Sequence, residues 1–306
     1  MTMPSDAAPA VAFEPRAATP RTPAATRPFY WSVRREIWEN RSLYLAPLAV
    51  AALVLVGFLI SAIGMPHRRL QTLTLPLDRQ IAVISQPYDF AEMALIGAMV
   101  IVAVAYCVSA LHTERRDRSI LFWKSLPVSD LTTVLSKAAI PTVVLPAITA
   151  AVILLTHMAI LLFSTVILLL GGVSPAVPLQ MFTVPVSMIY GLVTMALWYA
   201  PIYAWLLLVS AWARRSPFLW AVLPPAALCL VEKLAFNTHH LASFLGHRLS
   251  GGGSEAFIGK GHGMNADITQ LNPGGFLASP GVWLGLVFAA ACLAGAVWLR
   301  RRREPI

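Results

Sequence analysis

His112-Thr113-Glu114-Arg115-Arg116-Asp117-Arg118-Ser119-Ile120-Leu121-Phe122-Trp123-Lys124-Ser125-Leu126-Pro127-Val128-Ser129, continuing to Lys137, stands between two long apolar runs. Glu114 to Arg118 are five consecutive ionisable residues. At roughly 2.5 to 3.5 kcal/mol for each Asp, Lys or Arg held at a helix centre in a bilayer, such a run is excluded from the hydrocarbon and must form a loop. Beyond the charges, Ile120, Phe122, Trp123 and Leu126 fall on one arc of a short helix at about 100° per residue. Leu121 lies off that arc, as do Arg118, Lys124 and Ser125. Pro127 ends the turn, because proline disfavours the helical conformation in the residue before it. The stretch therefore predicts a short amphipathic helix in an aqueous loop of a membrane protein. An aromatic pair on its apolar face requires a surface to receive it.

Composition sets the surroundings of that loop. The chain is 58% hydrophobic and 12% charged, against roughly 25% charged for an average soluble domain. Runs of about 20 apolar residues can cross the hydrocarbon core as helices, and the period-two alternation of a membrane barrel is absent from them. Six such runs occur, at about Leu43 to Gly64, Ala91 to Leu111, Ala138 to Leu170, Thr183 to Trp212, Pro217 to Phe236 and Pro280 to Leu299. The fold class predicted is an all-α integral membrane protein with about six transmembrane helices. The third and fourth runs exceed one straight span and carry Pro141, Pro146, Pro185 and Pro201, so they kink or extend past the bilayer.

A net charge of +9 would point to nucleic acid in a soluble protein, but here the positives alternate with the spans. Arg34, Arg35 and Arg41 precede the first run, and Arg115, Arg116, Arg118, Lys124 and Lys137 lie in the 112–137 loop. Arg214 and Arg215 follow the fourth run, and Arg300 to Arg303 follow the sixth. The intervening loops hold only Arg68, Arg69, Arg79, Arg248 and Lys260. By the positive-inside rule both termini and the 112–137 loop are cytoplasmic, and the basic charge sets orientation rather than nucleic-acid binding. Cys107, Cys229 and Cys292 fall within predicted spans without metal-ligand spacing and read as small apolar fillers. No secretory signal peptide is expected, since the first apolar run is long enough to stay in the membrane.

Residues 1–27 are rich in Ala, Pro and Thr, without apolar period, and predict a disordered cytoplasmic tail. In residues 28–41, Phe29, Tyr30, Trp31, Val33, Ile37 and Trp38 cover one wide helical face, and Ser32, Arg35, Glu36 and Glu39 share the other. That pattern predicts an interfacial helix along the inner leaflet, with Arg34 reaching from the apolar face toward headgroups. A frayed extension of the first span is the alternative. Met65 to Phe90, with Pro66, Pro76 and Pro87, reads as an external connector, and residues 171–181 as a short external turn. Residues 237–279 form a large external loop whose many glycines suggest a mobile excursion.

Several chemistries find no support. The nearest text to a phosphate-cradling loop is Gly259-Lys260-Gly261, which lacks the spacing and the hydroxyl that a nucleotide site needs. His239, His240, His247 and His262 match no zinc spacing, so no metal site is expected. Neither a carboxylate pair suited to hydrolysis nor a motif such as H-E-x-x-H or G-x-S-x-G is present, so no enzyme activity is expected of this chain. Within the spans the ionisable residues are few: His157, with Glu92 at the edge of the second span, and Glu232 and Lys233 near the external end of the fifth. An intramembrane ionisable group is by default a functional candidate, whereas Glu232 and Lys233 are close enough to an interface to snorkel.

An inner-leaflet helix, six spans, cytoplasmic termini and an amphipathic helix between spans two and three resemble the ABC-2 type permease family. The most specific likeness is the loop, where the charged run Glu114 to Arg118, the short apolar helix and Leu126-Pro127 look like the family's coupling segment. The resemblance covers about Phe29 to Arg303, over 28–303 as one transmembrane domain, and outside the loop it rests on span order. It implies a transport subunit of the inner membrane that pairs with a second permease subunit and docks onto a separate ATPase. ATP and Mg would be bound by that partner, and this chain would hold no cofactor. Glu114, Arg115, Arg116, Asp117, Arg118, Ile120, Phe122, Trp123 and Leu126 would then seat in a cleft of the ATPase.

The fourth span carries Tyr190, Trp198, Tyr199, Tyr203 and Trp205, which read either as helix packing or, with His157, as lining for an amphipathic or hydrophobic cargo. His157, Tyr190, Trp198 and Tyr199 are the candidate path residues. Two other classes stay open: a membrane enzyme acting on lipid, and a non-transporting sensor or scaffold that holds a cytoplasmic partner through the same loop.

Overall fold

A computed structural model of the chain describes residues 27–62, 77–117, 128–170, 184–258 and 270–302. Six helical stretches are long and apolar enough to cross a membrane: Ser42–Ala62, Ser85–Arg116, Asp130–Ile167, Val186–Trp212, Pro217–Phe236 and Pro280–Arg302. Among the described residues the only extended pairing is an isolated antiparallel bridge between Phe257 and Leu271. The chain is an all-α membrane protein.

Helix α1 (Pro28–Glu39) opens on Pro28, whose fixed φ suits a first helical turn and whose missing N–H is not needed there. It stops at Asn40, which leaves helical geometry at φ −108° and ψ 75°. The Asn40 backbone and side-chain amides both donate to the Glu36 carbonyl. Helix α2 (Ser42–Ala62) then starts afresh. Residues 28–62 are therefore two helices and not one continuous rod.

Helix α3 (Leu77–Ala110) begins earlier than the sequence suggests, so the last part of the expected 65–90 connector is helical. Pro87 lies inside it, which costs one backbone hydrogen bond but does not end the helix. Nearby, the Ser85 hydroxyl donates to Asp89 at 3.0 Å, one turn on. A short helix, α4 (His112–Arg116), follows immediately. Residues 118–127, including Arg118, Ile120, Phe122, Trp123 and Leu126, lie outside the described residues. So do 1–26, the expected tail.

Helix α5 (Asp130–Ala139) is started by Ser129, whose hydroxyl accepts the Thr132 N–H at 3.1 Å. Asp130 in the first turn suits the positive end of the helix dipole. A π-turn (Ile140–Val144) carries Pro141 and joins α5 to α6 (Leu145–Leu170). The missing Pro141 N–H explains why the ladder widens at this point. The third span thereby reaches 38 residues without breaking.

Helix α7 (Val184–Trp212) is the central element. Most residues of its apolar stretch are buried, whereas in its neighbour α8 (Pro217–Phe236) the buried residue is Ala221. Leu95 and Met99 of α3, Ile153 of α6 and Leu207 of α7 are buried in the main core with Leu43 of α2. Helix α12 (Pro280–Arg302) makes the most extensive contact with α7. The outward surface carries large apolar side chains as exposed as Leu53, Ile101 and Leu284, which a lipid environment tolerates and water does not. Cys107 and Cys292 are buried free thiols, as their reading as fillers expects.

Between α8 and α12 the described residues include three short helices, α9 (His240–Leu249), α10 (Gly253–Ala256) and α11 (Pro273–Ala278). This part of the expected loop packs back on α7, with Gly251 and Gly252 supplying the positive φ of the turn (85° and 70°).

Candidate functional site

The described ends of the 112–137 loop lie in α4 and α5, and they meet in a buried network of charges. Glu114 of α4 accepts from Arg300 of α12 at 2.6 Å, from Lys137 of α5 at 3.1 Å and from Arg35 of α1 at 3.3 Å. Lys137 also meets Glu36 of α1 at 2.8 Å, and Arg35 meets the same carboxylate at 2.9 Å. Arg300 makes a second bond to Asp130, at 3.0 Å, and the Tyr106 hydroxyl of α3 donates to Glu36 at 2.7 Å. Arg35, Lys137 and Arg300 thus balance Glu36, Glu114 and Asp130.

Glu36, Lys137 and Arg300 are 1%, 2% and 5% exposed. Burying these groups costs several kcal/mol each, so the network specifies which helix faces meet more than it adds net stability, while loss of one member strands its partners. Burial alone pushes the Glu36 carboxyl up; Lys137, its hydrogen bond and that of Tyr106, and Arg35 outweigh burial and hold it below the ordinary carboxylate range. Glu39, at the rim, has its carboxyl raised, chiefly by burial.

A second set of contacts clamps α4 onto the end of α7. The last carbonyls of a helix have no partner within it. Arg115 donates to the Ala211 carbonyl at 2.6 Å, and a His112 ring nitrogen lies 3.2 Å from the Ala213 carbonyl. The Ser210 hydroxyl accepts the backbone N–H groups of Leu111 and His112. Beneath these bonds Leu111, Val134, Ala211, Ala296, Val297 and Leu299 form a small apolar cluster. The loop base is thus bound to α1, α5, α7 and α12 together.

The charged run accordingly divides. Glu114 and Arg115 are buried and face inward, at 8% and 6% exposure. Arg116 and Asp117 are exposed and paired with each other at 3.0 Å. Only these two of the described loop residues named as candidates present charge outward. Sequence reasoning placed Glu36 and Arg35 on the polar face of α1, and it missed Lys137 and Tyr106 as partners of Glu36, and Arg300, itself bonded to Asp130, as a partner of Glu114. A lysine at the last position of the loop and an arginine at the end of the last span were visible, but nothing in the sequence pairs them across such separations.

The other candidates sort into two places. Tyr190, Trp198 and Tyr199 hold the 240–258 segment: their polar atoms donate to the carbonyls of Ala256 at 3.1 Å, Arg248 at 3.0 Å and Leu249 at 2.7 Å. The Arg248 guanidinium stacks on Trp198 at 4.4 Å and donates to the Gly281 carbonyl at 3.0 Å. His157 sits instead between α6 and α3, buried, with Nε2 3.3 Å from the Tyr88 carbonyl. Its ring meets the Tyr88 ring edge-on. The structure therefore groups the three aromatics and does not join His157 to them.

Glu232, also legible only as a residue near a span end, caps α9 from α8. Its carboxylate accepts the His240 and Leu241 backbone N–H groups, both at 2.8 Å, and the Thr238 hydroxyl. No group of three or more His, Cys, Asp or Glu arranged to hold a metal ion occurs among the described residues. The fold and the network define an all-α membrane protein whose loop base is locked by buried charge. No family model, curated protein or solved structure matches the chain.

Proposed function

We propose that this chain is the membrane-spanning permease subunit of an ATP-driven exporter of the ABC-2 type, with its 112–137 loop seated on a separate ATPase. One observation carries the reading: Glu114, Lys137, Arg35 and Arg300 join both ends of that loop to α1 and α12 through contacts of 2.6 to 3.3 Å. A push on the loop cannot be absorbed locally. It passes to α3 and α6, which continue directly from α4 and α5, and to α7 through Arg115 and Ala211.

In this account α1 lies along the cytoplasmic leaflet. Its charged face is turned into the network and its aromatic face outward, where Phe29, Tyr30, Trp31 and Trp38 are all exposed. Ile120, Phe122, Trp123 and Leu126 are the residues that would enter the ATPase, and Arg116 and Asp117 precede them in the chain. The partner binds ATP and Mg, a second permease subunit completes the transport path, and an amphipathic or hydrophobic cargo moves outward.

The test is purification of the full chain from its host, with identification of what accompanies it and measurement of ATP hydrolysis. The reading expects a Walker-motif ATPase that co-purifies and is stimulated by the permease. Lipid-modifying activity of the chain alone, with no ATPase retained, would establish the enzyme class in its place.

A further inference from the structure

At the loop end of the bundle the basic residues fall into two populations. The buried cations, Arg35, Lys137 and Arg300, all meet carboxylates. Among the described residues, no carboxylate pairs with Arg34, Arg41, Arg214, Arg215, Arg301 or Arg302, although the network lies one residue from two of them. Two of these unpaired arginines are nevertheless held in place.

Trp31, Arg34 and Trp38 occupy positions i, i+3 and i+7 of α1, one stripe of a helix. The Arg34 guanidinium lies over both indoles, 4.4 Å from the Trp38 ring centre and 5.2 Å from that of Trp31. Both indoles are more than half exposed, at 56% and 65%. On α12, Arg302 lies over Trp298 in the same way, at 4.6 Å, and Trp298 is 52% exposed. Stacking occupies the flat face of a guanidinium and leaves its N–H edge free to fork onto two oxygens of an anion. Glu114 links the two clamps, since it binds Arg35, the neighbour of Arg34, and Arg300, two residues before Arg302.

We propose that these two tryptophan-arginine clamps bind the phosphate headgroups of anionic phospholipids in the adjoining leaflet. The aromatic rings suit the level of the headgroups, where tryptophan concentrates. The uncompensated arginines supply the charge that an anionic leaflet attracts. Large apolar side chains that face outward start just beyond the clamp on α2, with Leu45 at 59% and Leu48 at 50% exposure, so the clamp stands where hydrocarbon gives way to headgroup. The site does not depend on the transport reading; a scaffold or an enzyme with this fold would carry it too.

The experiment is native mass spectrometry of the detergent-purified full chain, titrated with phosphatidylglycerol and with phosphatidylcholine. Wild type should retain phosphatidylglycerol preferentially. Arg34→Ala with Arg302→Ala should lower that preference by about tenfold or more, the expected scale for two basic side chains at an anionic surface. Arg34→Lys with Arg302→Lys, which keeps charge and loses the stacked plane, should fall between them and serves as the deciding variant if the alanine pair does not fold. Arg79→Ala, on the remote part of α3, should bind as wild type. Unchanged preference in both double variants would overturn the proposal, as would an equal loss in Arg79→Ala. Full displacement of the lipid by inorganic phosphate would show a free-anion site and also overturn it.

Discussion

Arg300 of α12 and Glu114 of α4, 186 positions apart in the chain, meet at 2.6 Å in a buried hydrogen-bonded pair. Each has further partners: Asp130 for Arg300, and Lys137 and Arg35 for Glu114. The last span is thereby tied to both ends of the loop between spans two and three. Replacing Arg300 with Met should leave Glu114 short of its closest cation and destabilise the folded chain by roughly 3 to 5 kcal/mol, the usual cost of stranding a buried charge. Glu114→Gln with Arg300→Met should recover a measurable part of that loss in a double-mutant cycle. Thermal unfolding of the detergent-solubilised variants reads both; strictly additive losses would show that the pair is not coupled.

Acid should loosen the network at Glu36. Its folded carboxyl titrates below the unfolded value of about 4.5, because Lys137, Tyr106 and Arg35 outweigh burial. The stabilisation is therefore fully present above about pH 4.5 and is lost as pH falls from there through the folded value. The wild-type unfolding temperature should drop in that window relative to neutral pH, and Glu36→Gln should show a shallower drop from a lower starting stability. Parallel pH profiles would count against the assignment.

The turn under α7 should be intolerant of a side chain. Gly252 has φ +70°, and a Cβ there would lie 2.6 Å from the Trp198 ring. Gly252→Ala should release the segment that Trp198 and Tyr199 hold, seen as faster hydrogen exchange over 240–258 with the α3 and α6 amides unchanged. Gly285→Val should act similarly, since its added carbon would run into the Arg248 guanidinium.

For orientation, single cysteines at Thr113 and Arg301 should react only from the cytoplasmic side, and one at Ser254 only from outside. Ser254 is exposed, whereas Gly252 is packed against Trp198 and is a poor labelling site. Labelling of Ser254 from the same side as Thr113 would reverse the topology or overturn it.

The six spans were legible because their signal is additive: some twenty consecutive apolar residues speak without help from tertiary structure. The break before the first span was legible too, as Phe29 to Glu39 and the run after it have different amphipathic character. Residues 77–90 were not, because Pro87 reads as a terminator although one lost hydrogen bond is tolerated within a long helix. The loop itself was visible through Glu114 to Arg118, but its division into inward Glu114 and Arg115 and outward Arg116 and Asp117 was not. That division depends on Arg300 and Ala211, which no local pattern connects to it. The same holds for Tyr190, Trp198 and Tyr199, whose spacing marks a packed face while their bonds to carbonyls 50 or more residues away decide what is packed there.

The central claim is that this loop couples the spans to a partner ATPase, and its most direct test is co-purification with paired ATPase assays of Phe122→Ala with Trp123→Ala. Each of these aromatic contacts, as an interface hot spot, is worth roughly 2 kcal/mol or more. The double variant should insert and fold as wild type, and retain the ATPase an order of magnitude less well or lose substrate stimulation of hydrolysis. Wild-type retention together with wild-type stimulation would contradict the account.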